Sequence, residues 1–361
     1  MDDLSITGFE IDFFPVGEGA RSGDAIVVRF GDLDGPRDAQ RVVVVDGGFT
    51  DDGEAIVTHL KEVVGTTRVD LVISTHPDQD HITGLTTIVE QLEVGVLCMH
   101  LPWEHTDDIA RMFHDGRVTD NSVSEKLRNE LDGARILGEA AIERGVRIVE
   151  PFAGDTGFGS ALTVLGPTRE YYDTQLLNFR TTPDRRRENV IVKALEGTRS
   201  IAERFDLETL TDAGDTSAEN NTSVVTLWNF AGRYCLLTGD AGIDALDQAA
   251  DQLDAMGVAR PLAFVQVPHH GSRHNVGPSV LDRILGPRLP AQEKRTTAFV
   301  SVSPGADRKH PAPSVTNAFL RRGAPVVSTK DHGQIRHGHN APARPGWGPV
   351  ASLPLIPEVE A

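Results

Sequence analysis

The chain is poor in cysteine, in large aromatics and in positive charge. Only Cys98 and Cys235 occur among 361 residues, which excludes a disulfide-stapled scaffold. Both lie in apolar, strand-like stretches and read as buried free thiols. Of the three tryptophans, Trp103 and Trp228 read as core and Trp347 falls in the tail. No apolar run reaches the ~18 residues that span a bilayer, because Asp, Glu, Arg or Gly interrupts each one. The start, Met1-Asp2-Asp3-Leu4-Ser5, is acidic where a secretory signal is basic, so a cytoplasmic location and no membrane partner are expected. Lys and Arg number 35 against 53 Asp and Glu, a formal charge of −18. Such a surface repels nucleic acid at long range, so any action on DNA or RNA must rest on a local basic patch or on metal ions. With 39% hydrophobic residues there is material for a sizeable core, which excludes wholesale disorder.

Short β-branched runs punctuated by Gly, Pro and Asp recur throughout, at 25–30, 42–45, 71–74, 95–99, 146–149, 162–165, 224–228, 234–237, 264–267, 298–302 and 326–328. Helical stretches fall at 54–64, 83–92, 123–144, 243–256 and 315–321; the longest opens on a capping box, Ser122 to Glu125, and Gly145 stops it. Many strands with interspersed helices predict an α/β chain with two sheets and helices packed outside. One domain is expected over 1–340, with an inserted segment at about 169–218 that loses strand periodicity, and a Pro/Gly-rich tail at 341–361 that reads as loosely packed.

The run at 71–74 leads into Thr75-His76-Pro77-Asp78-Gln79-Asp80-His81, four metal-capable side chains in six positions at a strand-to-helix turn. Left unpaired, those groups would cost free energy, whereas divalent cations satisfy them all. Two later strands also end in ligand types: 234–237 runs into Thr238-Gly239-Asp240, and 264–267 into Pro268-His269-His270-Gly271-Ser272. If these strands lie side by side, one rim collects His76, Asp78, Asp80, His81, Asp240 and one of the paired histidines. Such a set suits two metal ions, with Asp240 as the bridging carboxylate and a hydroxide between the ions as nucleophile.

The motif His76-Pro77-Asp78-Gln79-Asp80-His81 resembles the signature of the metallo-β-lactamase superfamily, in the variant with Asp at the second His position. Val16-Gly17-Glu18-Gly19, Asp24-Ala25, Val45-Asp46-Gly47-Gly48, Asn220-Asn221-Thr222-Ser223-Val224-Val225, Leu237-Thr238-Gly239-Asp240 and Val267-Pro268-His269-His270-Gly271-Ser272 narrow it. In that order they resemble the hydrolase domain of ComEC-type competence proteins and its free-standing relatives. Lys309-His310-Pro311, Ser328-Thr329 and Gly333-Gln334-Ile335 extend the likeness to about residues 8–340, the insertion apart. The resemblance implies a four-layer αββα sandwich with metals at one edge. It also implies that His76 and Asp78 hold one ion, that Asp80, His81 and His269 or His270 hold the other, and that Asp240 bridges them. Asp46 would fix a ligand or a loop, and Asn221 and Ser223 would lie near the first metal on the substrate side. The family's short Gly-Gln-Gly-Asp element is stretched here to Gly17-Glu18-Gly19-Ala20-Arg21-Ser22-Gly23-Asp24, a loop expected to border the active-site edge. The family's membrane channel has no counterpart, so a role in DNA transport is not expected.

Asp78 in place of an imidazole makes manganese competitive with zinc, and magnesium is also allowed. Paired cations suit phosphodiester hydrolysis, in which Asp80 and Asp240 would hold the reacting centre together. Of the adjacent histidines, the ligand role is placed on His269 and proton transfer on His270, although the sequence leaves that choice open. His310, Lys330 and the run Arg185-Arg186-Arg187 are candidate anion contacts. The leading expectation is a DNA-directed nuclease or other phosphodiesterase. The alternatives are a small-molecule hydrolase acting on a cyclic nucleotide, phosphoester or lactone, and an effector subunit of a defence or stress system whose insertion docks on a partner protein.

Overall fold

In the strand Gln40–Gly47 the period of two decides which layer each valine joins. Val42 and Val44 enter a core shared with helices, while Val43 and Val45 enter the core between two sheets. Ala25 and Val27 against Ile26 and Val28 divide the same way in the strand Ala25–Gly31. A slip of one residue would exchange the two sets, and each buried aliphatic side chain contributes about 1.5–3 kcal/mol, so the register is strongly specified.

The computed structural model describes residues 5–106, 120–180, 200–307 and 309–360. Arg185, Arg186 and Arg187 lie outside them, with the middle of the expected insertion. Two seven-stranded sheets form the centre. The first runs Ile335–His339, Gly8–Phe13, Ala25–Gly31, Gln40–Gly47, Leu71–Ile73, Val96–Cys98, Arg147–Val149. Its first four strands pair antiparallel and the remaining pairings are parallel. The second runs Val326–Ser328, Thr297–Val300, Phe264–Gln266, Arg233–Leu237, Val225–Phe230, Leu162–Gly166, Thr156–Gly157, parallel up to Arg233–Leu237 and antiparallel beyond. Between the sheets lies an aromatic core in which Phe9 stacks on Phe230 at 4.4 Å and Phe13 meets Phe299 edge-on. Thr50–His59, Gln79–Gln91 and Asp132–Glu143 cover the first sheet, and Ile243–Ala255, Pro278–Leu285 and Pro313–Arg321 cover the second. The result is the four-layer αββα sandwich expected from the sequence. Among the described residues, no helix is long and apolar enough to cross a membrane.

One local reading needs correction. In place of one helix over 123–144 there are two, Asp120–Glu130 and Asp132–Glu143, with Leu131 outside helical geometry between them. The break lets Gly133 approach Ile82 of the neighbouring helix, where a Cβ would lie 2.8 Å from the Ile82 methyl. The tail is mostly exposed, as a loosely packed extension would be, but it is pinned at several points. Arg344 pairs with Asp12 and Glu10, the Leu353 amide donates to the Val326 carbonyl, and Glu358–Glu360 forms a ribbon with Ser200–Ala202 that buries Val359. As expected, Cys98 and Cys235 are free thiols, and burial pushes Cys98 up to about 11.

Candidate metal centre

The carboxyl ends of the parallel strands in both sheets meet at one edge of the sandwich. Gln40–Gly47 brings Asp46, and Leu71–Ile73 leads to His76 and the helix carrying Asp80 and His81. From the second sheet, Arg233–Leu237 leads to Asp240 and Phe264–Gln266 to His269 and His270. Hydrogen bonds lock the two halves together. The Val224 amide donates to the Thr75 carbonyl, the Gln266 amide donates to Asp24 at 2.7 Å, and the Ser301 hydroxyl donates to the Gly23 carbonyl.

Four imidazole Nε2 atoms surround a single oxygen, Asp240 Oδ2. The separations are 3.4 Å for His81, 3.6 Å for His269, 3.7 Å for His270 and 3.9 Å for His76. These are too long for good hydrogen bonds. They suit donors sharing a metal ion at about 2.0–2.2 Å each. The Nε2 atoms of His76, His81 and His270 and Asp240 Oδ1 are buried with no hydrogen-bond partner. So many orphaned polar atoms at one point would be costly unless something binds there.

The outer ring nitrogens are all engaged. His81 Nδ1 lies 2.8 Å from Asp46 Oδ2, and His270 Nδ1 lies 3.0 Å from the Ser301 carbonyl oxygen. His269 Nδ1 meets Asn275 Oδ1 at 2.7 Å, and His76 Nδ1 meets the Thr75 hydroxyl at 3.0 Å. Because a carbonyl or carboxylate oxygen can only accept, His81 and His270 carry a proton on Nδ1, which leaves Nε2 as the atom facing inward. Asp46 also accepts from the Thr75 amide and hydroxyl, so it ties the segment carrying His76 to the ring of His81. The backbone is held in the left-handed region at Asp46 (φ 55°), His269 (φ 47°) and His270 (φ 53°), a strain that the surrounding bonds must sustain.

The electrostatics agree with a cation site. Burial pushes His76 down and His270 down to about 3, so these are neutral donors, whereas at His81 burial is outweighed by Asp240 and Asp46, which raise it and which a cation would offset. At Asp240 burial opposes ionisation, but His81, His269 and His270 outweigh it and hold the carboxyl well below its usual range. Burial raises Asp24 and Asp80, and neighbouring carboxylates add to the shift. Three sets of donors lie close enough to share an ion: Asp46, His76 and His81; Asp80, His81 and His270; Asp24, His81 and Asp240.

Most of the expected ligands are therefore brought together, and Asp78 is not. Both its oxygens lie 2.9 Å from Arg180 Nη2, which donates to them, and Arg180 also reaches Glu219. Ser223 accepts from the Asp240 amide and so helps to place that residue, while Asn221 sits with its side-chain oxygen unpartnered at the same edge. Lys330 does not face the site, because its ammonium braces the carbonyls of Asp307 and His310. His310 does, lining an open cleft of about 450 Å³ with Ala20, Arg21, Ser22, Phe49, Asp80, His269 and His270. The stretched loop at 17–24 thus borders the site as expected. The sequence reading gave no ligand role to Asp24 and did not single out Asn275, Gln266, Thr75 or Arg180. The signal available for Asp24 is its place at the end of the stretched 17–24 element, just before a strand.

No protein-family model matches the chain, and no curated protein matches its sequence. Solved structures with a similar arrangement include a Thermotoga maritima protein assigned to the metallo-beta-lactamases, at 12% identity and TM-score 0.34, covering 69% of this chain and 92% of that one. A mutant of the CmlA beta-hydroxylase shares 13% identity at TM-score 0.41, over 90% of this chain and 53% of its own. Unliganded yeast PDE1 shares 8% at TM-score 0.39, over 89% and 96%. Likenesses this distant carry no chemistry, which here comes from the site's own atoms.

Proposed function

We propose that the chain is a metal-dependent hydrolase of phosphodiesters, of metallo-β-lactamase type and with the ComEC-like motif order as its nearest sequence resemblance. The observation that carries this is the convergence of four imidazole Nε2 atoms on Asp240 Oδ2 with their buried neighbours left unpartnered. His76, His81, His270, Asp240, Asp80 and Asp24 would hold the ions. Divalent ions there supply Lewis acidity toward a phosphoryl oxygen and acidify water at neutral pH.

The chain's own residues do the rest. Asp46, Thr75, Asn275 and Ser301 fix ring orientation, so the donors are organised before anything binds. Between the paired histidines, His270 is the buried one, orphaned at Nε2 and tied to a backbone carbonyl, so it takes the ligand role. His269 is 31% exposed toward the cleft and shares the edge with it. His310 stands at the rim, where burial lowers its pKa and leaves a neutral imidazole able to hold or pass a proton on a leaving oxygen.

The test is hydrolysis of bis(p-nitrophenyl) phosphate, linear and circular DNA, RNA and a lactone, before and after chelation and re-addition of manganese, zinc or magnesium. Phosphodiester cleavage that is lost on chelation and absent in Asp80→Ala is expected. Hydrolysis of the lactone alone would overturn the phosphodiester reading, and cleavage of the small ester without any polymer would remove the nuclease from it.

A further inference from the structure

We infer that Arg21 is the residue that selects the substrate of this cleft, by binding the charge of a phosphodiester presented singly, on a strand end or a small nucleotide. The inference rests on the phosphodiesterase reading and deepens it. Arg21 sits on the stretch that sets this sequence apart from the short Gly-Gln-Gly-Asp element, and that stretch forms one wall of the cleft over Asp80, His269 and His270. Its side chain is exposed, and among the described residues no ion pair or side-chain hydrogen bond engages its guanidinium.

The loop beneath it is tied down at several points. The Ser303 hydroxyl donates to the Gly19 carbonyl at 2.7 Å, the Ser22 hydroxyl accepts from the Ser303 amide at 3.0 Å, and the Arg21 amide donates to the Glu18 carbonyl at 3.1 Å. Gly17 adopts φ 81° with no room for a Cβ, which would lie 2.0 Å from the Arg21 carbonyl oxygen and 3.2 Å from the Phe49 ring. Gly23 packs against the backbone of Asp80 in the same way. A loop fastened on both sides of Arg21 and abutting a candidate ligand fixes the backbone from which the guanidinium reaches over the cleft.

Size and charge choose the occupant. At about 450 Å³ the cleft suits a molecule of nucleotide size, not a duplex. On a chain of net charge −18 an anion needs a local cation to approach, and a planar guanidinium fits phosphate oxygens in pairs. Phe49, against the foot of the same loop, gives the lining an aromatic face for the ring attached to that phosphate.

Steady-state kinetics of wild type, Arg21→Ala and Arg21→Lys on the metal-loaded protein test this, with thymidine 5′-(p-nitrophenyl phosphate), single-stranded oligothymidylate and neutral p-nitrophenyl acetate as probes. Arg21→Ala is expected to raise KM for phosphodiesters about ten- to a hundredfold with kcat within about twofold, leave the neutral ester unchanged, and recover partly in Arg21→Lys. An effect on only the small ester, or only the oligonucleotide, identifies the source of the phosphate and supports the assignment. Wild-type KM in Arg21→Ala, or an equal loss on the neutral ester, overturns the inference alone. A wild type that leaves both phosphodiesters intact overturns it together with the functional reading.

Discussion

Two buried clusters of acidic and basic side chains draw on the first sheet, one within it and one shared with the second sheet, and they differ in how they close. At one, Glu10 and Asp12 on the strand Gly8–Phe13 are met by Arg29, Arg336 and Arg344, with Arg29 also bonded to Gln40 and the Leu33 carbonyl. Each carboxylate there has a guanidinium partner. At the other, Asp24, Asp46, Asp80 and Asp240 have no Lys or Arg ion pair among the described residues, and the imidazoles facing Asp240 turn unpartnered Nε2 atoms inward. Burial is similar, so burial does not separate a structural network from a binding site. The convergence of unused lone pairs does: one imidazole nitrogen, His59 Nε2, is left over beside Asp12, against three at Asp240. A completed network ties the tail to the sheet, while the open one is organised for something absent from the chain itself.

The contrast can be broken in order of effect. Asp240→Ala removes the atom on which four imidazoles converge and is expected to lower hydrolysis more than about a thousandfold while metal content falls; a folded variant with full metal content would break the distinction. Arg344→Ala leaves buried carboxylate oxygens short of their cation and is expected to cost about 3 kcal/mol of unfolding free energy, read in urea, with metal content unchanged. Loss of metal in that variant would show that the clusters are coupled. Asn275→Ala, which frees the His269 ring and orphans the buried Asp240 carbonyl, should weaken metal affinity about ten- to a hundredfold in equilibrium dialysis and cost about 1–2 kcal/mol of unfolding free energy.

The smallest effect belongs to a third cluster. His105 lies between Glu150 at 2.8 Å and Asp173 at 3.0 Å. Burial opposes its charge, but those carboxylates win and raise it above 6.5, while at Glu150 burial is outweighed by His105 and the Leu101 amide, which lower it below 4.5. A raised imidazole stabilises fully below 6.5 and loses that contribution as pH climbs through its folded pKa; the lowered Glu150 contributes above 4.5 and loses it as pH falls. His105→Ala should therefore cost about 1 kcal/mol between those limits and less at pH 9. A cost that grows with pH would contradict the sign.

What the sequence made legible was contiguous. His76 to His81 and the His269, His270 pair declare themselves because the ligand types crowd a few positions at strand ends, and the two-sheet sandwich follows from alternating runs such as Val42 to Val45. What stayed hidden depends on approach between distant segments. Arg180 reaches Asp78 from beyond the helix Arg169–Leu176, and no local pattern marks that guanidinium as the partner of a candidate ligand. Asp24 gains its place only when Gln266 of the second sheet donates to it. The helix break at Leu131 likewise serves a contact between helices, Gly133 on Ile82, that lies outside the local sequence. The tail's composition suggested looseness, but composition does not record that Arg344 finds two buried carboxylates.

The central claim is that the open cluster is a metal centre. Equilibrium dialysis of the chelator-stripped chain against manganese and against zinc, with bound metal counted and the unfolding midpoint measured in parallel, tests it most directly. Tight binding of at least one ion is expected, with a gain of about 3 kcal/mol at a hundredfold excess over Kd and loss of both effects in Asp240→Ala. A wild-type chain that binds neither ion, or that binds equally well without Asp240, would contradict the account.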